Sequence, residues 1–94
     1  VPHMVIIKSE LKTMMEPEEI VSKIQAAIAD AQVRVVDLTG TRDHFEATVI
    51  SPSFDGLMPI KRHRMVYAAL AEEMKGPIHA LALKTLTPDE WDAQ

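Results

Sequence analysis

The chain contains no cysteine among its 94 residues. That excludes a disulfide framework, a thiolate zinc site, a cysteine nucleophile and an iron–sulfur cluster held by this chain's own thiolates. Glycine is scarce: Gly40, Gly56 and Gly76 stand far apart, each in a turn, so no phosphate-cradling loop exists. Only two Phe, one Tyr and one Trp are present, which leaves the core to Ile, Val, Leu, Met and Ala. Apolar runs fall well short of the ~20 residues of a membrane span. Ten basic residues against fourteen acidic ones give a net charge of −4, which argues against a surface wholly given to phosphate binding but allows a local basic patch. The length suits one domain with one modest core.

Val1-Pro2-His3 before Met4 reads as an expression scar, so His3 is set aside from any site. Val5-Ile6-Ile7 is too short for a secretory signal, and residues 1–15 are expected to be scar plus an N-terminal arm, with 16–94 the single domain. From Glu16 onward the pattern sharpens. Pro17 suits a first helical position, Glu18 and Glu19 complement the helix dipole, and Ile20, Ile24 and Ile28 form one apolar stripe, predicting a helix over about 17–30. Val33 and Val35 alternate with polar neighbours, as do Phe45, Ala47 and Val49, so two strands are expected around Thr39–Asp43, paired as an antiparallel hairpin.

Ser51-Pro52-Ser53 and Asp55-Gly56 are turn chemistry. Pro59 opens a second helix, with Ile60, His63, Val66, Tyr67, Leu70 and Met74 on its stripe and Gly76-Pro77 closing it. Ile78–Thr85 reads as a third strand. Thr87-Pro88-Asp89-Glu90 is a capping box that starts a short helix carrying Trp91. A right-handed crossover makes the third strand parallel to the second. The expected architecture is α+β, in α-β-β-α-β-α order, with a three-stranded mixed sheet and its helices on one face.

Lys61, Arg62, His63 and Arg64 fill the first turn of the second helix, where positive charge opposes the dipole by about 0.3–1 kcal/mol per group. They either present charge to an anion or acidic partner, or form a solvated turn offset by Asp55. His63 lies on the apolar stripe and reads as a partly buried structural residue. His79 opens the third strand, where an imidazole can be a metal ligand, a proton carrier or a hydrogen-bonded edge residue. His44 follows Asp43, a pairing that can orient an imidazole toward a metal, although adjacent strand residues point to opposite faces. Two histidines alone make an incomplete metal site that needs ligands from a partner. No serine elbow precedes a base, and the carboxylates are spread over helix surfaces, so nothing supports an enzyme. The Gly40–Asp43 loop also lacks the second glycine of a KH nucleic-acid clamp.

Three motifs carry a resemblance. The run from Ile78 through His79 to Trp91, the Lys61–Tyr67 segment preceded by Phe54-Asp55-Gly56, and Asp43-His44-Phe45 together resemble the BolA family, the last in place of that family's Ser-His-Phe. The resemblance covers about residues 17–92. It implies a fold similar to class II KH domains and a non-enzymatic cytoplasmic adaptor that forms a heterodimer with a monothiol glutaredoxin carrying Cys-Gly-Phe-Ser. The pair would share a [2Fe–2S] cluster with glutathione, in iron–sulfur trafficking and iron homeostasis, and none would be bound by this chain alone. By the same carry-over, His79 matches the family's cluster histidine, and His63, His79 and Arg62 mark the partner interface. The family's second ligand normally comes from the loop between the first two strands. Here Thr41 and Arg42 occupy that loop, which leaves His44 as the candidate substitute, and imidazole in place of thiolate would raise the cluster's potential. Some members of the family are DNA-binding transcription regulators. On that alternative Lys61, Arg62 and Arg64 would contact phosphates, and a weak homodimer is a further option.

Overall fold

The computed structural model describes residues 15–94, so the expected scar, His3 and most of the arm lie outside the described residues. Helix α1 spans Pro17–Ala27, β1 Gln32–Asp37 and β2 His44–Ile50; a 3-10 turn follows over Pro52–Phe54. Helix α2 runs over Pro59–Ala69, α3 over Ala71–Met74, β3 over Ala80–Leu86 and α4 over Pro88–Asp92. The strands lie in the order β1-β2-β3, with β1–β2 antiparallel and β2–β3 parallel. This is the expected α+β fold with its mixed three-stranded sheet.

Helix α1 begins where Pro17 needs no amide partner and the Glu19 carboxylate accepts the Glu16 N–H at 3.2 Å. Ile20, Ile24 and Ile28 are buried as their spacing requires, though the last already caps the helix. The chain turns there instead of continuing to residue 30, because Asp30 is committed elsewhere. Its carboxylate accepts the Ser51 hydroxyl at 2.5 Å and the Ser53 hydroxyl at 2.7 Å, which ties the α1–β1 turn to the segment leaving β2 and holds the carboxyl below its ordinary pKa. Met15, assigned from sequence to the arm, is buried in the core and belongs to the domain.

Central strand β2 buries Phe45, Ala47 and Val49 completely. Their partners across the ladders, Val35 and Val33 on β1 and Leu81 and Leu83 on β3, share that face and pack against α1 and α2 residues. The opposite face carries Arg34, Glu46, Thr48 and Lys84. Helices α1 and α2 cover the first face. The short α4, held by reciprocal Thr87–Glu90 hydrogen bonds of 2.8 and 3.2 Å, sets the Trp91 ring 4.9 Å from the Arg34 guanidinium on the second.

Helix α2 departs from its predicted stripe. Its buried line is Arg62, Val66 and Leu70, spaced by four, while Ile60 is 60% exposed and Tyr67 also faces outward. The cause is Arg62. Its Nε donates to the Leu57 carbonyl at 2.9 Å, and its Nη1 donates to Glu90 Oε1 at 2.6 Å and to the Thr85 carbonyl at 3.4 Å. Its guanidinium also lies 5.9 Å from the Phe54 ring. With the residue only 8% exposed, the apolar stem fills the core edge while the head joins α2, β3 and α4. A single helix through Met74 was also expected; the helix instead breaks at Leu70, whose backbone leaves helical geometry before α3. β3 starts at Ala80 and not at Ile78, since the Ile78 N–H is still bound to the Glu73 carbonyl at 3.0 Å.

Arg62→Ala is expected to lower unfolding free energy by about 2–3 kcal/mol, measured by urea denaturation. Most of that loss comes from carbonyls left without a donor and from lost packing, because Glu90 is half-exposed and solvent screens its share. Lys61→Ala and Arg64→Ala should each stay within about 0.5 kcal/mol.

The Arg62 hydrogen bond, assisted by the Thr87 N–H, holds the Glu90 carboxyl below its ordinary 4.5. A depressed folded-state pKa adds stability above the unfolded value and loses it as pH falls through the folded one. Glu90→Gln should therefore show a flatter acid limb than the parent when urea midpoints are followed from neutral to acidic pH.

Candidate functional site at the start of the parallel strands

The β1–β2 connection is built around two aspartates. The Asp37 carboxylate accepts the N–H groups of Thr39 and Gly40 at 3.3 and 3.0 Å through Oδ1, and that of Arg42 at 3.0 Å through Oδ2. The wrap requires left-handed backbone at Gly40 (φ 77°) and at Arg42 (φ 60°), so a glycine fits the first of these positions. Arg42 in turn pairs with Glu16 at 3.0 Å. The loop delivers Asp43 immediately before β2.

Asp43 works through both its main chain and its side chain. Its carbonyl accepts the N–H of His79 at 2.8 Å and of Ala80 at 3.2 Å, which starts the parallel ladder where His44 pairs with Ala80. Its carboxylate meets both imidazoles, with His44 Nδ1 at 2.8 Å from Oδ1 and His79 Nδ1 at 3.2 Å from Oδ2. Thr41 donates its hydroxyl to the same Oδ1. These contacts, Thr41 first and then His44, bring the Asp43 carboxyl down to about 2. The two rings stand edge to face with centroids 6.1 Å apart.

The Asp43 side chain is 22% exposed, those of His44 and His79 43% and 63%. An ionised carboxylate only accepts, so His44 donates through Nδ1, whereas His79 Nδ1 lies at ion-pair distance from Oδ2 without forming a hydrogen bond. Such carboxylate–imidazole contacts are the usual outer support of metal-binding histidines. Among the described residues, no group of three or more His, Cys, Asp or Glu is arranged to hold a metal ion. What the site offers is two nitrogen donors, short of a full coordination set.

The sequence reading thus finds His79 and His44 brought together. It missed that Asp43 serves both, because the pairing with His79 depends on the β2–β3 register. Its signal was present only in retrospect: β2 opens with a histidine and β3 is immediately preceded by one, each just ahead of alternating apolar residues.

The remaining candidates lie elsewhere. Arg62 touches Thr85, six residues along β3 from His79, or about 20 Å away. His63, half-buried with its ring centroid 6.4 Å from that of Tyr67, lies on α2 immediately after Arg62. Arg62 and His79 therefore cannot share one small contact patch. Arg62, being buried and engaged through Nε and Nη1, is poorly placed to contact phosphates, whereas Lys61 and Arg64 are exposed beside exposed Met58 and Ile60.

Residues 11–90 match the family model described as BolA-like protein. The chain belongs to the BolA family. Over 52 residues, 55% of this chain, it is 54% identical to human BolA-like protein 1, and that match spans 38% of the human protein's length. The DNA-binding transcriptional regulator BolA of Escherichia coli K12 is 40% identical over 86 residues, covering 84% of this chain and 82% of that protein. Among solved structures, a BolA homologue from Coxiella burnetii superposes with a TM-score of 0.73 at 39% identity, covering 84% of this chain and 99% of that one. The BolA fold is therefore shared over most of the chain. No helix among the described residues is long and apolar enough to cross a membrane.

Proposed function

We propose that this BolA protein is a non-enzymatic adaptor that binds a monothiol glutaredoxin in the cytoplasm and shares a [2Fe–2S] cluster with it and glutathione. The observation carrying this reading is the pair of exposed imidazoles set side by side at one carboxylate, with His44 hydrogen-bonded to it and His79 within 3.2 Å. Two nitrogen donors fit one side of a shared centre. They leave the thiolates, which a cysteine-free chain cannot supply, to the partner and glutathione. His79 and His44 would hold the cluster from this side, and the cluster would supply one-electron chemistry and transferable iron. The chain's own contribution is to orient donors and to exchange for whatever held the cluster before.

The test is a titration into cluster-loaded monothiol glutaredoxin with glutathione, followed by visible absorption and circular dichroism. A new spectrum at one-to-one stoichiometry is expected, abolished by His79→Ala and altered by His44→Ala. Binding with no spectral change would remove this chain from the cluster's ligands; no binding would end the adaptor reading.

A second reading, DNA binding at the start of α2, is favoured by one observation. Lys61 and Arg64 are exposed and have no ion-pair partner among the described residues, and the Escherichia coli relative is named as a DNA-binding regulator. On this reading each contributes about 0.9 to the slope of log K against log salt, and Lys61→Glu with Arg64→Glu removes that share. An unchanged slope would eliminate it.

A further inference from the structure

We infer that the open face of the sheet is a self-association surface, on which a second copy of this chain docks face to face in a two-fold dimer. Helices α1 and α2 cover the other face. On the open one the short α4 sets its Trp91 ring 4.9 Å from the Arg34 guanidinium, and among the described residues nothing covers the rows beyond. There Val36 is 54% and Leu38 55% exposed, and Ala80 and Ala82 on β3 are exposed as well. The register places Val36 and Ala82 on either side of Glu46, and Arg34 and Lys84 on either side of Thr48 in the adjacent row. Among the described residues neither Glu46 nor Lys84 has an ion-pair partner, and Arg34 has only the Trp91 ring.

Charge decides the occupant. A two-fold interface must be self-complementary, since the same patch serves both partners. Same-face rows along a strand are about 7 Å apart and neighbouring strands about 5 Å. A two-fold axis lying across the strands, between these two rows, sets each row over the other row of the second copy. Each Glu46 then enters between Arg34 and Lys84 of the facing copy. Each Val36 meets the aliphatic stem of the facing Arg34 and the indole beside it. An unrelated partner would have to reproduce this alternation of charge, whereas a second copy already carries it. The face is only three strands wide, which places the dimer among small, transient interfaces. The same axis carries the facing α4 toward Leu38 and His44, so the dimer covers His44. On the adaptor reading, self-association and cluster sharing then exclude each other, but the docking itself does not depend on that reading.

Sedimentation equilibrium of the chain alone, from about 10 μM to about 1 mM, reads the association directly. A monomer–dimer equilibrium is expected, with concentration-dependent amide NMR shifts at Val36, Glu46 and Ala82 and none on α1 or α2. Glu46→Lys sets cations against cations and should weaken the dimer by about 10-fold or more, and Lys84→Glu should weaken it as well. Mixed in equal amounts, the two variants should associate more tightly than either does alone, because the Glu46 of one enters between Arg34 and Lys84 of the other. The inference is overturned if the parent stays monomeric at the highest concentration, if its shifts map to α1 or α2, or if Glu46→Lys dimerises as the parent does. Should a variant not fold, the parent's shift map decides alone. No glutaredoxin enters this experiment, so a failed cluster titration would reject the adaptor reading and leave the dimer standing.

Discussion

The parallel register of β2 and β3 begins at Asp43, and the functional end of the molecule depends on it. Two amides of the incoming strand end on one carbonyl, so His79 arrives beside the residue that precedes His44. A one-residue slip would exchange the two faces of β3 and bury Ala82 and Lys84 in place of Leu81 and Leu83. Core packing therefore enforces the same alignment that brings the histidines together. The hydrophobic effect, acting through Leu81, Leu83 and their β2 neighbours, sets a distance between two polar groups that have little burial of their own.

At the far end of the sheet Arg62 does comparable work with different chemistry. It is placed where α2 begins, β3 ends and α4 folds back, and it satisfies carbonyls from the first two while pairing with Glu90 in the third. This arrangement separates the molecule into a locked end and an open end. The locked end consumes a charge that the local sequence offers as part of a basic cluster. What remains accessible there, Lys61 and Arg64 with Met58 and Ile60, is a smaller and more mixed surface than four consecutive cationic residues suggest.

The legible parts of the sequence were those where one residue's environment is set by its own element. The isoleucine spacing of α1, the alternation of β2 and the Thr87–Glu90 capping box all report short-range geometry, and each appears in the fold. The α2 stripe failed because residue type was read as destination. Arginine has enough aliphatic stem to occupy a buried line, and two of the three neighbours that satisfy its head lie 23 and 28 residues away. The placement of Trp91 was equally hidden, since a five-residue helix has no face pattern capable of choosing a side of the sheet. Asp43 illustrates both cases: its bond to His44 was open to a reading of neighbours, whereas its bond to His79 exists only through the crossover.

On the proposed adaptor reading, an incomplete ligand set is an advantage, because the chain would have to give and receive a metal centre. A full set of donors with its own outer support holds metal tightly and exchanges slowly. Two imidazoles hold less, and imidazole binds and leaves without the charge that a thiolate carries. A preset ring orientation would then matter more, because a ring that has to turn before binding delays exchange. Exposed histidines lose such order readily to water. Here His44 takes its order from a carboxylate that the loop, stapled by Asp37, holds at the head of β2. On that reading, the loop in which the family resemblance would place a ligand serves here to position the residues at the heads of the strands beside it.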